Sequence, residues 1–242
     1  MLTETENALI IGACTLVHGD ALEILPRISH VDCIITDPPY KLVSGGNATG
    51  EMGGCFSKNQ YNNSGEIIDC DIDWKDFMPA LSRSLSSGHA YIMANNRNVL
   101  PMLSEAEKVG FGFHNLLVWD KGSATPNRWY MKNCEFIGFF YKGKAKRIND
   151  CGAMQLISCP QIDETNHPTE KPIQLMRHYI EQSTEPGQTV LDPFMGSGTT
   201  GVAAALSGRY FTGIEKNKAF FDIAVKRIAA AVNNFQLSLF QA

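Results

Sequence analysis

An α/β fold, with a mainly parallel sheet carrying helices on both faces, is predicted by three observations. Short apolar runs alternate with helix-spaced segments along most of the chain, glycine- and proline-rich turns follow several of the runs, and acidic residues (Asp37, Asp192, Glu215) stand where runs end. Strands that alternate with helices pair in parallel through crossover connections, and such sheets bind ligands beyond the carboxyl ends of their strands.

Taken in order, residues 16–18 read as a short strand, and Leu22 and Leu25 share a helical face before Pro26 stops it. Residues 31–36 form a buried strand that ends at Asp37. Glycine, asparagine and serine dominate 41–70, which reads as a loop. In 73–87, Trp74, Phe77, Leu81 and Leu85 recur at helical spacing, and Gly88 closes the helix ahead of a strand at 89–94. A helix at 99–109 closed by Gly110, strands at 113–119 and 134–141, and an irregular stretch at 142–166 follow. The last third is the clearest: helix 172–182, strand 189–191, helix 198–207, strand 210–214 and helix 218–233.

A chain of 242 residues, 44% hydrophobic and 19% charged, buries a sizeable core without staples, as one large domain or one domain with an inserted subdomain. It is read as a single domain over 1–242, with 41–70 and 122–166 as loop regions. Its apolar runs are far shorter than the roughly 20 residues that cross a bilayer, and residues 1–7 lack a basic-then-apolar leader, so a cytoplasmic protein is expected. A formal net charge of −4 argues against a uniformly cationic surface. A local basic face remains in 122–166, with Arg128, Lys132, Lys142, Lys144, Lys146 and Arg147 suited to phosphate contact. The seven cysteines contain no C-x-x-C pair, which fits reduced thiols. Cys151, Cys159 and His167 lack regular ligand spacing, so no metal is expected.

After the strand at 189–191, Asp192, Pro193 and Phe194 lead into Gly196, Ser197 and Gly198 and a small-residue helix. Glycines there let the backbone approach a ligand at the helix amino end, and Glu215 can accept hydrogen bonds from ribose hydroxyls. Dinucleotide enzymes use the same physics, but the third glycine of G-x-G-x-x-G is absent, because Thr199 and Thr200 precede Gly201. Lys171, at a helix start where a cation gains nothing from the helix dipole, reads as a ligand for a carboxylate.

Asp37, Pro38, Pro39 and Tyr40 suit chemistry on a planar amine, whose nitrogen lone pair is delocalised into its ring. Asp37 accepting one N–H and the Pro38 carbonyl accepting the other would return the lone pair to nitrogen. Asp37 and the face of Tyr40 would stabilise the positive charge that grows there as an electrophile arrives. The two prolines restrict reorganisation. No histidine is required.

DPPY at 37–40, HPTEKP at 167–172 and DPFMGSGTT at 192–200, in that order, resemble the DNA amino-methyltransferases of the beta group, whose Rossmann-like sheet is circularly permuted. The resemblance implies S-adenosylmethionine as methyl donor. Asp192, Phe194, Gly196, Ser197 and Gly198 would line its pocket, Glu215 would hold its ribose, and Lys171 would approach its methionine carboxylate. Asp37, Pro38, Pro39 and Tyr40 would be catalytic, and Asp20 and Tyr40 would contact the target base. DPPY rather than a serine in first position points to adenine N6 in double-stranded DNA, flipped out of the helix, with 41–70 and 122–166 as recognition surface. The same resemblance associates such chains with restriction-modification and with homodimers. Cytosine N4, RNA adenine and a protein glutamine amide are neighbouring readings; a catalytically idle nucleic-acid-binding module and a nicotinamide-dependent dehydrogenase are the different classes.

Overall fold

The two carboxyl-terminal strands lie in the middle of the sheet, between strands from the beginning of the chain. The computed structural model describes residues 8–39, 72–125, 130–160 and 170–240. In chain order the elements are β1 (Ala8–Ile11), β2 (Cys14–His18), α1 (Ala21–Ile24), β3 (Val31–Thr36), α2 (Trp74–Ser84), β4 (Leu85–Ala94), α3 (Val99–Lys108), β5 (Gly112–Thr125), β6 (Lys132–Lys142), β7 (Leu156–Ser158), α4 (Ile173–Ser183), β8 (Thr189–Asp192), α5 (Thr199–Leu206), β9 (Tyr210–Glu215) and α6 (Lys218–Phe240). They form one sheet of order β1-β2-β9-β8-β3-β4-β6-β5-β7. From β2 to β4 every neighbouring pair is parallel, while β1, β6 and the β5–β6 ribbon bring antiparallel pairs.

Strand β3 is buried on both faces, as its run of apolar residues requires. Alternation sends Cys33 and Ile35 into a core shared with α4, α5 and α6, and Ile34 into a second core shared with α1, α2 and α3. The expectation of helices on both faces therefore holds, with three on each among the described residues. Helix α5 is built of small residues because α6 and β9 press against it: a Cβ on Gly201 would lie 2.5 Å from Ile228 and 2.7 Å from Phe211.

Several boundaries differ from the sequence reading, each for a tertiary reason. Helix α2 ends at Ser84, and Leu85 begins β4, where it pairs with Val31. Gly88 does not stop a helix; it lies inside β4, where an added Cβ would come within 2.1 Å of the Asp32 carbonyl oxygen and the β3–β4 register shifts. Strand β1 was not expected, and it completes an edge hairpin with β2. Strand β7 crosses the stretch read as irregular and pairs in parallel with β5. The region 122–166 is thus no single loop, since it contains the end of β5, all of β6 and β7.

Asp192, expected in a cofactor pocket, is 3% exposed and ties three elements together. It accepts from Thr36 at the end of β3 (2.9 Å), from Thr200 in α5 (2.7 Å) and from the Phe194 N–H (3.1 Å). Burial pushes its carboxyl up to about 6, against the pull of these hydrogen bonds and with help from the nearby Asp37 charge. A carboxyl whose folded pKa exceeds its unfolded value holds its proton more tightly in the folded state. Its contribution is therefore most favourable below about pH 4 and is lost as pH rises through about 6, by roughly 3 kcal/mol. Urea unfolding of wild type and Asp192→Asn should show the wild-type advantage shrinking by about that amount between pH 4 and pH 7; a pH-independent difference would refute the assignment.

Candidate active site

The parallel strands all point their carboxyl ends to one edge of the sheet, and the acidic residues expected from sequence collect there. Asp37 follows β3, and its immediate neighbour β8 delivers Asp192 and the turn at 196–198. Pro38 is buried and Pro39 exposed. Tyr40 lies outside the described residues, as do 41–70, Arg128 and His167 to Thr169.

The Lys171 ammonium sits 2.5 Å from Asp37 Oδ2 and 3.5 Å from Glu135 Oε2, and Glu135 also pairs with Lys121 at 3.2 Å. Burial alone would depress the ammonium, but the two carboxylates, Asp37 foremost, outweigh it and hold the Lys171 pKa above the ordinary lysine value. Glu135 is affected in reverse: burial favours its neutral form, and Lys171 and Lys121 prevail to keep its pKa below the usual range. Lys171, expected to approach the methionine carboxylate of a cofactor, is here paired with two carboxylates of the protein itself. Antiparallel β6 makes this possible by starting at the edge where β4 ends, which places Glu135 beside the end of β3. The role of Glu135 depends on strand order, which its neighbours in the chain do not carry.

On the other side of Asp37, Gly196 and Gly198 have φ of 52° and 83°. Gly198 is also crowded: an added Cβ would lie 2.8 Å from that of Ala224. Both facts demand glycine there. Glu215, at the end of β9, accepts from the Gly196 N–H (3.0 Å) through one oxygen and from the Asn217 N–H (2.6 Å) through the other. Burial raises its pKa despite these bonds, so donors such as a pair of ribose hydroxyls would relieve an incompletely solvated carboxylate. Ser197 donates to Glu170 (3.3 Å), and Arg227 on α6 donates to the Ser197 carbonyl and hydroxyl and to Glu170. Arg227 escaped sequence reasoning because a lone arginine in an amphipathic helix carries no signal.

Other expected residues lie further off. Phe194 turns its ring edge-on to Phe77 of α2, 5.1 Å away. Asp20 caps α1 through the Leu22 N–H and pairs with Lys216 at 2.8 Å, next to Glu215. Strands β9 and β8 separate β2 from β3, so Asp20 is about 14 Å across the sheet from Asp37. The basic cluster divides: Lys132 starts β6 at the site edge, whereas Lys142 ends it about 30 Å away. Lys142 donates to Ser82, and the Lys146 carbonyl meets His89 midway along β4. Lys132 and Lys142 therefore do not form one patch beside Asp37, a correction to the expected basic surface.

Comparison with known proteins agrees with this geometry. The family model described as DNA methylase matches residues 154–226, which include Lys171, the glycine turn and Glu215. The chain is 29% identical to the type II methyltransferase M2.LlaDCHI of Lactococcus lactis subsp. cremoris, over 93% of this chain and 90% of that one. It is 29% identical to the type II methyltransferase M2.DpnII of Streptococcus pneumoniae, over 89% of each. Among solved structures, the M1.HpyAVI-SAM complex superposes with a TM-score of 0.67 at 28% identity, covering 88% of this chain and 99% of that one. With sheet and relatives in agreement, the chain is similar to the DNA amino-methyltransferases along most of its length.

Proposed function

We propose that the protein transfers a methyl group from S-adenosylmethionine to the N6 amino group of adenine in double-stranded DNA, in the cytoplasm and as part of a restriction-modification pair. The observation that carries the reading is the adjacency of Asp37 to the glycine turn, through neighbouring parallel strands and the Thr36–Asp192 hydrogen bond. A donor held at the turn and an amine held at Asp37 would occupy one cleft. The insertion of β8 and β9 between β2 and β3 also supports the circularly permuted beta group.

The residues present fit the cofactor. The glycines leave no side chain on the turn at 196 and 198, and Glu215 offers a half-buried acceptor at the strand end. When bound, S-adenosylmethionine supplies an electrophilic methyl on a sulfonium. Asp37 and the Pro38 carbonyl would each accept a hydrogen bond from one N–H of the target amine, which draws its lone pair back onto nitrogen; the methylated amine then loses one proton to solvent. The negative charge of Asp37 then stabilises the positive charge that develops, an interaction stronger in the transition state than in the ground state. Lys171 pins one oxygen of that carboxylate and so fixes the direction from which the amine is approached. Tyr40 would stack on the base. The amine is out of reach in an intact duplex, so the base is flipped at a cost of a few kcal/mol of stacking.

The assignment to adenine rests on Asp37 heading the motif, and nucleoside digestion with mass analysis of DNA methylated by the purified protein is expected to yield N6-methyladenine. N4-methylcytosine would move the assignment to cytosine. Asp37→Ala should lower methyl transfer by roughly 100-fold or more while cofactor binding by calorimetry changes little; retained turnover would refute the mechanism. Glu215→Gln should instead weaken cofactor binding by roughly 10-fold or more, and an unchanged Kd would remove Glu215 from the site.

A further inference from the structure

Glu170 and Lys171 are neighbours in the chain whose side chains serve opposite halves of the cleft. Lys171 reaches the acceptor half, Asp37 and Glu135. Glu170 reaches the donor half, where its Oε1 lies 2.5 Å from Arg227 Nη2 and its Oε2 accepts from the Ser197 hydroxyl at 3.3 Å. Arg227 Nη1 donates to the Ser197 carbonyl (2.8 Å), the Ser197 hydroxyl (2.7 Å) and the Thr199 hydroxyl (3.3 Å). The ion pair is well covered, with side chains 18% and 8% exposed.

We infer that Arg227 and Glu170 are positioning residues that set the distance between the methyl donor's turn and the acceptor carboxylate of Asp37. The inference rests on the methyl-transfer reading above. A turn flanked by two glycines has little stiffness of its own; β9 ties its start through Met195 and Gly196, and the grip on Ser197 is a second, independent anchor. The grip is a planar guanidinium, whose fork can hold a carboxylate and a carbonyl at once; an ammonium is a single point of attachment. Anchoring of α6 does not require Arg227, because Phe221, Ala224, Ile228 and Ala231 already bury that helix in the core. The bridge from Ser197 through Arg227 to Glu170 ends one peptide unit from Lys171, which holds Asp37. Donor and acceptor are thereby referred to one short segment. Group transfer is steep in that separation, since a misplacement of about 1 Å can cost on the order of 100-fold in rate.

The test is single-turnover transfer of tritiated methyl to unmethylated genomic DNA at saturating S-adenosylmethionine, beside calorimetric cofactor affinity and thermal unfolding. Arg227→Gln and Glu170→Gln are expected to lower the single-turnover rate roughly 10- to 100-fold with cofactor Kd changed less than about threefold. The double variant should be no slower than the worse single one, because both remove one bridge. Arg227→Lys, which keeps the charge and the buried stem but loses the fork, is the variant to use if the glutamine forms do not fold, and it should be slowed about 10-fold. A full single-turnover rate in a folded variant would overturn the inference, as would a defect confined to cofactor Kd or to stability. Wild-type protein inactive on DNA would instead defeat the methyl-transfer reading itself, so the two failures are distinguishable.

Discussion

One ammonium group between two carboxylates organises the Asp37 side of the candidate site. Lys171, Asp37 and Glu135 come from three distant parts of the chain, and each would be costly to bury alone. Removing a single partner from such a cluster leaves an uncompensated charge in poor solvent, a far larger penalty than the net worth of the pair. The cluster therefore constrains the ends of β3 and β6 and the segment before α4 to converge, and the convergence creates the site. Lys121, on Glu135, extends the alternation of charge to β5.

The donor half is held differently. Its polar groups are backbone amides and a guanidinium fork around a glycine turn, with Glu215 on the strand side and Glu170 on the fork. Such a site has little side-chain bulk, which suits the close approach of a cofactor, and its rigidity must come from outside the turn. Helix α5 supplies part of it by packing so tightly on α6 and β9 that only small residues fit. Asp192 supplies another part, binding β3, β8 and α5 through hydroxyl and amide donors while remaining hidden from the cleft. A conspicuous motif residue thus acts on the frame of the site.

The long β5–β6 ribbon separates charge from charge. Because antiparallel strands run from one edge of the sheet to the other, residues ten apart in β6 sit at opposite ends of the molecule. Proximity in sequence made Lys132, Lys142 and Lys144 look like one patch, and strand geometry divides them. The same antiparallel run brings Glu135 to the active edge.

Local chemistry was readable from the residues alone. Alternating apolar runs gave the layered fold, since burial on both sides of a parallel strand demands an unbroken apolar run, and helices must cover the faces so formed. The glycine turn and the strand-terminal acids were equally plain, because a turn and a strand end are marked by the residues immediately around them. Tertiary structure decided everything that depends on which strands become neighbours: the insertion of β8 and β9 beside β3, the partnership of Lys171 with Asp37 and Glu135, the grip of Arg227 on Ser197, and the placement of Asp20 on the Glu215 side. Sequence patterns report the environment of a residue along its own element. Contacts between elements distant in the chain are set by packing, which no short window contains.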